Sequence, residues 1–458
     1  MNEQSAELFE KIRQQFDSAP YPSTPLEQNP QDAHDLLYAH NLVTSHYLRN
    51  QSLISTDGKV ILDAGCGTGF KSLVLATANP GAKIVGIDLS KEAVDLAKQR
   101  LQVYGFENAE FMVASIEALP SLGVEFDYIN CDEVLYLLPD IASGLQAMKA
   151  ALKPNGIIRA NLHSATQRVD YFRAQQVFKI MGLMDSNPEE MEIEIARETF
   201  GALEDWVNLK VNVWQDPARR KAVESKEWVL MNYLFQGDKG YTIADIFAAL
   251  RSADLEFISM VNWRDWEILD LFKDADDLPI FWAMSLPEVS TEQRLQLFEL
   301  LHPISRLLDF WCGHPDQANS FTPIADWSED DWKTTKVHLH PQLKNSKLHE
   351  ALVESIENHQ PFSLGGYLLG QANTSVTLES TIAATLLPLW DEPQSIAALM
   401  ERSSQIQPFN PVTLEPRTPT AILHDLMALL TKLEVFLYVL LEPSSKVKTQ
   451  KTKKILGD

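Results

Sequence analysis

VILDAGCGTG, residues 60–69, is followed by IVGID at residues 84–88, and these two stretches decide the fold. The apolar run at 60–64 is typical of a buried parallel strand. Asp88 ends a second such strand about 20 residues after the glycines, where nucleotide-binding α/β folds place the carboxylate that binds a ribose diol. The turn after the first strand lets backbone approach a ligand closely because it holds three glycines: Gly65, Gly67 and Gly69.

The spacing of these glycines indicates which nucleotide binds. A dinucleotide fingerprint reads GxGxxG, and a helix N-terminus then holds the pyrophosphate. Residues 65–69 instead read GxGxG, and Asp63 precedes them. A carboxylate beside the turn repels a pyrophosphate but attracts a ligand that carries an ammonium and a sulfonium group. S-adenosylmethionine is such a ligand.

Three later segments extend the pattern. EFMVA at 110–114 predicts a third strand, FDYINC at 126–131 a fourth that leads into DEVLYLLPD, and LKPNGIIRANLH at 152–163 a fifth. The order of these elements resembles the class I S-adenosylmethionine-dependent methyltransferases, in particular bacterial members with a helical cap and an appended C-terminal domain. The resemblance implies a doubly wound, mostly parallel Rossmann-like α/β sheet, S-adenosylmethionine as cofactor and methyl transfer as activity.

The resemblance also implies which residues hold the methionyl part of the cofactor. Asp63 is expected near the methionyl amine, partly through the loop backbone and water. Gly65 and Gly67, with Gly69 after them, shape the loop around the methionyl group. Cys131 and Val134, at the end of the fourth strand, are expected to provide backbone and apolar contacts near the sulfonium.

Four further residues are expected at the nucleoside. Asp88 accepts hydrogen bonds from the ribose hydroxyls. Leu89 lies against one side of the adenine and Ile116 against the other, and Ser115 hydrogen-bonds the adenine edge. Residues of these types also occur in ordinary loops after strands, so Ser115 and Ile116 have a plain structural alternative.

Three residues are candidates for catalysis. Methyl transfer from a sulfonium needs mainly alignment of the reacting atoms in a desolvated pocket. Glu133 and Tyr136 follow the fourth strand and His163 ends the fifth, so all three can face the transferred methyl. A histidine near its usual pKa can take a proton from an acceptor hydroxyl or ammonium. The family often has histidines where this chain has Tyr136 and Leu137, and His163 has an alternative role in capping a strand end.

Composition limits the partners and the compartment. The net charge of −24 and the pI of about 4.9 disfavour a phosphate backbone, so no nucleic acid is expected. Three widely spaced cysteines favour a reduced, cytoplasmic compartment: Cys66, Cys131 and Cys312. The N-terminus lacks a signal-peptide pattern and no segment reaches ~20 apolar residues, so no membrane is expected. His338 and His340 lack a third ligand at a telling distance, so no metal is expected.

The remaining segments predict a multidomain chain. Residues 164–240 read as a helical insertion that packs as a cap through aromatics such as Trp206 and Trp214. A sixth strand is expected at 255–263 and a seventh at 279–288, and helices are expected over 291–310 and 419–441. The predicted domains are an N-terminal helical lid at 1–58, the methyltransferase domain at 59–290, a helical connector at 291–335, a mainly helical, possible winged-helix regulatory or recognition domain at 336–443, and a basic disordered tail at 444–458.

The methyl acceptor stays open between a protein and a small molecule. The large C-terminal domain favours a protein side chain held between the cap and that domain. The first alternative is a small-molecule O- or N-methyltransferase whose C-terminal domain forms a homodimer. A pocket lined by aromatic or carboxylate side chains under residues 164–240 would favour this alternative, and an open groove would favour a protein. The second alternative is a non-catalytic S-adenosylmethionine sensor or assembly subunit.

Overall fold

The computed structural model describes residues 11, 14, 24–215, 225–364 and 376–443. The chain divides into a main unit, residues 1–49 with 55–318, and a C-terminal unit, residues 50–54 with 319–458. Within the described ranges, no helix combines the length and the apolar character needed to span a lipid bilayer.

A seven-stranded sheet forms the centre of the main unit. Its strands are β1 Val60–Ala64, β2 Lys83–Asp88, β3 Glu110–Val113, β4 Phe126–Cys131, β5 Leu152–His163, β6 Glu256–Met260 and β7 Leu307–Gly313. Their order is β3-β2-β1-β4-β5-β7-β6, and β7 runs antiparallel to both of its neighbours. The doubly wound, mostly parallel α/β sheet is therefore confirmed, together with the first six strands.

Helices cover the sheet and form the insertion. They are α1 His34–Ala39, α2 Leu42–Asn50, α3 Phe70–Ala78, α4 Lys91–Val103, α5 Ile141–Ala150, α6 Val169–Ile180, α7 Glu190–Ala202, α8 Asn208–Val213, α9 Lys226–Tyr233, α10 Ile243–Ala253, α11 Ile280–Ser285 and α12 Thr291–Leu301. Local sequence sets their ends. Ser90 Oγ caps α4 by accepting a hydrogen bond from Ala93 N, and Gly105 follows that helix with a φ of 80°.

The two faces of the sheet differ in polarity. Side chains alternate between faces along a strand. One face contributes to a large apolar core through residues such as Leu62, Ile129 and Ile158. The residues that follow them, Asp63, Asn130 and Arg159, pair across neighbouring strands and share the other face, where all three are buried. A polar layer thus lies directly below the carboxyl ends of β1, β4 and β5.

The predicted position of the seventh strand is wrong. Residues 279–288 contain α11 instead of a strand, and β7 lies at 307–313, inside the sheet between β5 and β6. The helix predicted to reach residue 310 ends at Leu301 because Pro303 cannot continue it. The proposed helical connector at 291–335 is also wrong, because this range contains β7, which belongs to the main sheet.

The insertion at 164–240 is helical in its described part and has a core of its own. Helices α6 to α9 bury a cluster that includes Tyr171, Phe200 and Tyr233. Trp214 stacks on Phe200 with ring centroids 4.8 Å apart, as expected for a packed cap. Trp206 does not pack there, because 80% of its surface is exposed.

The C-terminal unit combines helices with two small antiparallel sheets. Its strands are β8 Lys336–Leu339, β9 Phe362–Ser363, β10 Thr377–Leu378, β11 Gln394–Ser395 and β12 Val439–Glu442, and its helices are α13 Glu329–Lys333, α14 Ser346–Glu357, α15 Ser380–Leu386, α16 Ile396–Ile406 and α17 Pro419–Glu434. The three-stranded sheet has the order β11-β8-β12. The helix predicted over 419–441 therefore ends at Glu434, and the residues after it return as a strand.

Residues 24–49 are integrated into the main unit and differ from the separate lid predicted for residues 1–58. Helix α1 packs on α3 through Leu37, Val74 and Ala78. His40, directly after α1, is fully buried. The possible lid residue Tyr21 and the predicted basic tail at 444–458 lie outside the described residues.

Candidate active site

The three loop glycines all adopt positive φ angles: 80° at Gly65, 50° at Gly67 and 83° at Gly69. A Cβ added at Gly65 would lie 2.4 Å from Val134 Cγ2, and one at Gly69 would lie 2.6 Å from Ala97 Cα. Residues with a Cβ avoid this backbone conformation. Glycine therefore lets the loop pack between helix α4 and the residues that follow β4.

Asp88 lies at the end of β2 and fixes this loop through its carboxylate. Oδ2 accepts a hydrogen bond from Gly67 N at 2.9 Å, and Oδ1 accepts one from Ser90 N at 2.9 Å. Asp88 and the neighbouring Leu89 are partly exposed. A carboxylate offers about four lone-pair positions, so these two backbone bonds are compatible with further bonds to a ribose diol.

Arg100 ties the same loop to the N-terminal segment, a contact that sequence reasoning missed. Its Nε donates to Thr68 O at 2.9 Å, and its two terminal nitrogens donate to Thr24 O and Pro25 O at 2.7 Å each. Only 1% of Arg100 is exposed. The segment that begins at Thr24 is thereby held beside the glycine loop.

Asp63 lies below the loop in the polar layer. Its carboxylate accepts hydrogen bonds from Ser72 Oγ at 2.6 Å and from Asn130 Nδ2 at 2.9 Å. Burial raises the pKa of Asp63 to about 6, although these two hydrogen bonds lower it in part. Both carboxylate oxygens of Asp63 thus accept hydrogen bonds from neighbouring side chains. An effect of Asp63 on a methionyl amine, partly through the loop backbone, remains a prediction.

The other predicted cofactor residues line the same edge of the sheet. Ser115 is partly exposed after β3, and Ile116 beside it is buried against the main core. Cys131 ends β4 with its side chain in the apolar core, and burial raises the pKa of its thiol. The side chain of Cys131 is therefore not available to a ligand, and a contact through its backbone stays a prediction. Val134, which touches the glycine loop, is partly exposed.

Arg159 on β5 is the centre of the polar layer. It forms a two-pronged ion pair with Asp309 on β7, with Nε to Oδ1 at 3.1 Å and Nη2 to Oδ2 at 2.5 Å. Its Nη1 donates to Asn130 Oδ1 at 3.0 Å and to His40 Nε2 at 2.5 Å. Since an arginine can only donate, His40 Nε2 is the acceptor, and burial together with Arg159 lowers the pKa of His40. Together with the hydrogen bond from Asn130 to Asp63, these contacts join β1, β4, β5, β7 and the residue that follows α1.

Asp132, directly after β4, is a second buried group that sequence reasoning did not single out. Its carboxylate lies 2.6 Å from Lys71 Nζ and 3.8 Å from Arg159 Nη2. Burial alone would raise the pKa of Asp132, but these two cations outweigh burial and lower it. Asn161 Nδ2 also donates to Asp132, so the turn after β4 is held from β5.

Glu133, the next residue in this turn, is held through both its backbone and its carboxylate. Its φ is +58°, a conformation that residues with a side chain rarely adopt. Its backbone N donates to Asn161 Oδ1 at 2.7 Å. Its carboxylate pairs with both terminal nitrogens of Arg306, at 3.2 Å and 2.8 Å. A strained backbone conformation and an ion pair thus hold this carboxylate in one place.

His163, at the end of β5, contacts the insertion and the turn after β4. Its Nδ1 lies 2.6 Å from Asp238 Oδ1 and its Nε2 lies 3.2 Å from Arg306 Nη1. Its ring stacks on Tyr136 with centroids 4.0 Å apart. Burial lowers the pKa of His163, an effect that Asp238 opposes. Sequence reasoning missed Asp238, which lies 75 residues away along the chain.

A pocket of about 390 Å³ brings the three catalytic candidates together. It lies between the ends of β4 and β5 and helix α9 of the insertion. The lining residues are Glu133, Tyr136, His163, Ser225, Glu227, Trp228, Met231, Asn232 and Arg306. The insertion thus covers the carboxyl ends of the strands, where ligands bind in open α/β sheets.

Comparisons with known proteins agree with this geometry. Residues 55–223 match the family model of a methyltransferase domain. An uncharacterised protein of Synechococcus sp. is 27% identical over 329 residues, which cover 69% of this chain and 73% of that protein. The domain that contains residues 55–223 of this chain belongs to the class I S-adenosylmethionine-dependent methyltransferases. The match favours an enzyme over a non-catalytic sensor.

Other relatives cover the methyltransferase domain only in part or share only its fold. Ubiquinone biosynthesis O-methyltransferases of Actinobacillus pleuropneumoniae and Coxiella burnetii are 36% and 34% identical over 22% and 28% of this chain. The chain spans only 44% and 53% of the length of these two relatives. The structure of PKMT2 from Rickettsia typhi in complex with AdoHcy has a TM-score of 0.59 and 16% identity, and covers 89% of this chain and 76% of that one. This likeness shows a shared fold over most of the chain.

The residues of the methyltransferase domain fit S-adenosylmethionine as the cofactor. The loop glycines carry no side chains, so their backbone can approach a ligand closely. The partly exposed Asp88 is anchored to that loop, and the buried Asp63 places negative charge below it, as a cationic methionyl group requires. The pocket with His163 is lined by Glu133 and Tyr136, which lie on either side of Val134 in the sequence, and Val134 lies against Gly65 of the loop.

Proposed function

We propose that the methyltransferase domain transfers a methyl group to a protein side chain that enters the pocket beneath helix α9. The volume of about 390 Å³ is near the lower end for ligand pockets, which suits a single side chain. The fold shared with PKMT2 extends over 89% of the chain. The ubiquinone O-methyltransferases, in contrast, match only 22% to 28% of it.

The lining of the pocket supports an acceptor that carries an amine or a hydroxyl group. Trp228 and Tyr136 provide aromatic walls, which favour the stem of a long side chain and a cationic head. Glu227 adds a carboxylate from the insertion, in a chain whose net charge is −24. An acidic protein of this kind favours a basic segment of a partner protein.

His163 has the position of a general base for this reaction. S-adenosylmethionine supplies an electrophilic methyl group, and the electrons of the broken carbon–sulfur bond stay on sulfur while the acceptor lone pair forms the new bond. The acceptor proton passes to His163 Nε2, since His163 lines the pocket and its Nδ1 is paired with Asp238. The neighbouring Asp238 stabilises the resulting imidazolium because its carboxylate lies 2.6 Å from Nδ1. Glu133 and Tyr136 shape the pocket around this site.

Transfer of a radiolabelled methyl group from S-adenosylmethionine into extract of the native organism tests this proposal. We expect label in a protease-sensitive macromolecular fraction. The Trp228→Ala variant should lose most of this label while it keeps its affinity for S-adenosylmethionine. Trp206→Ala is the matched control, because Trp206 is in the same insertion but 80% exposed. Equal labelling by both variants would exclude this pocket as the acceptor site.

A small-molecule acceptor is the second candidate, and one observation favours it. The pocket is lined by aromatic and carboxylate side chains, the feature that distinguishes this alternative from an open protein-binding groove. In this case the C-terminal unit would serve dimerisation. Label found only in small molecules, together with a dimer in solution, would support this candidate and refute a protein acceptor.

A further inference from the structure

The side chain of Asp238 is fully buried and is surrounded by donors. Its side chain is 0% exposed, and Oδ2 accepts hydrogen bonds from Arg168 Nη2 at 3.1 Å and Gln175 Nε2 at 2.8 Å. Oδ1 faces His163 Nδ1 at 2.6 Å. Burial alone would raise the pKa of Asp238, but the hydrogen bond from His163, the charge of Arg168 and the hydrogen bond from Gln175 outweigh it and lower the pKa. Asp238 is therefore an ionised acceptor.

The opposite side of the imidazole fixes its tautomer. Arg306 Nη1 lies 3.2 Å from His163 Nε2. An arginine has only donors, so Nε2 must accept and cannot carry a proton. The single ring proton is then on Nδ1 and is donated to Asp238. His163 is neutral in this arrangement, and its lone pair on Nε2 accepts the hydrogen bond from Arg306, which lines the same pocket.

From these contacts we infer that Asp238 is a positioning residue, which holds His163 in the tautomer whose Nε2 can take the acceptor proton. The inference rests on the proposed role of His163 as the base. Arg306 occupies Nε2 in the absence of an acceptor and also pairs with Glu133. An acceptor that enters the pocket takes the place of Arg306 at Nε2, while Glu133 keeps the guanidinium nearby.

The charged groups around His163 come from four parts of the main unit. Asp238 lies in the loop before α10, Arg168 at the start of α6, Arg306 before β7, and Glu133 in the turn after β4, where Tyr136 also stacks on the ring. Two cations and two carboxylates thus balance one another around the imidazole. A change in the tautomer of His163 therefore requires a change in Asp238 or Arg306, which contact its two ring nitrogens.

Asp238→Asn is the substitution that reverses the tautomer with the least disturbance. Arg168 and Gln175 both donate to the Oδ2 position, so they will hold the amide oxygen of Asn there. The amide NH2 then occupies the Oδ1 position and donates to His163 Nδ1. The ring proton moves to Nε2, which can no longer accept a proton from the acceptor, and Arg306 Nη1 then has to move away because two donors cannot share a hydrogen bond.

The tautomer is measured directly by nitrogen NMR of the full chain with ¹⁵N-labelled histidine. The signals of His163 are identified by their loss in His163→Gln. We expect an Nδ1–H tautomer in the wild type and an Nε2–H tautomer in Asp238→Asn. An Nε2–H tautomer in the wild type, or the same tautomer in both proteins, would overturn the inference. Asp170→Asn is the control, because it changes a carboxylate of α6 that pairs with Arg173 and Asn212 instead of His163.

The second readout is the pH profile of methyl transfer from radiolabelled S-adenosylmethionine into extract of the native organism. The wild-type rate should fall as pH drops through the pKa of His163, because the protonated ring cannot accept a proton. Asp238→Asn should lower the rate about 100- to 10,000-fold and remove this acid limb, whereas Asp238→Glu should restore part of both. A rate loss with an unchanged acid limb would show a merely structural role. If the wild type transfers no label, the proposed function fails, while the NMR result still decides the tautomer.

Discussion

Replacing Asp88 with alanine removes the carboxylate that joins the glycine loop to the end of β2. The carboxylate accepts hydrogen bonds from Gly67 N and Ser90 N at 2.9 Å each, and we propose that it also accepts two from the ribose diol. Each hydrogen bond to a charged group contributes about 1.5–3 kcal/mol. Loss of the two ribose bonds should therefore weaken S-adenosylmethionine binding about 100- to 10,000-fold.

Calorimetric titration of the full chain with S-adenosylmethionine measures this loss. Asp95→Ala is the matched control, because Asp95 lies on the exposed side of α4 in a pair with Lys91 and should leave binding unchanged. Asp88→Asn should bind with intermediate affinity, since its single amide oxygen can serve only one of the two backbone donors. A folded Asp88→Ala protein with wild-type affinity would refute the assignment of the ribose site.

Three further substitutions probe the loop, the polar layer and the C-terminal unit. Gly67→Arg should abolish S-adenosylmethionine binding in calorimetry with an unchanged circular dichroism spectrum, and normal affinity would show that the loop is assigned wrongly. Arg159→Met should lower the free energy of unfolding by about 3–5 kcal/mol in urea, because Asp309 and Asp132 lose a buried partner; a change below about 1 kcal/mol would mean that other cations compensate. Burial lowers the pKa of His340 to about 3. The contribution of the neutral ring to the free energy of unfolding is therefore complete above the pKa of the unfolded state, about 6.5. This contribution is lost as pH falls toward the pKa of the folded state, by up to about 1.4 kcal/mol per pH unit. His340→Asn keeps a side-chain acceptor for Gln342 N and should flatten this loss between pH 6.5 and 4 in urea midpoints; an unchanged slope would assign it to other groups.

The cofactor loop could be predicted from sequence because its determinants are local. Gly65, Gly67 and Gly69 need no distant partner to indicate a turn with positive φ angles. Asp88 follows from the spacing of two short apolar strands. The structure places these residues together as that pattern requires, and their contact with S-adenosylmethionine remains the prediction that the titrations above examine.

The polar layer could not be predicted because its partners are distant in sequence. Arg159 pairs with His40 and Asp309, which are 119 and 150 positions away. The alternation of polar and apolar residues in RANLH at 159–163 did carry a signal, since a fully buried parallel strand is usually apolar on both faces. That alternation indicates a strand with one polar buried face, although it does not identify the partners.

The seventh strand was missed for a different reason. Residues 307–313 form a short run that follows a leucine-rich helix, and their apolar residues extend the pattern of that helix. Pro303 is the local signal that separates the two elements. The insertion shows the same limit of pattern analysis, because Trp206 and Trp214 look alike in sequence but only Trp214 is packed.

Calorimetric titration of the wild-type chain with S-adenosylmethionine tests the central claim most directly. The glycine loop, Asp88 and the fold of the methyltransferase domain predict saturable binding of one molecule per chain. Gly67→Arg, titrated in parallel, should give no binding heat. Absence of binding by the folded wild-type protein, or equal binding by both proteins, would contradict the claim that this loop holds the methyl donor.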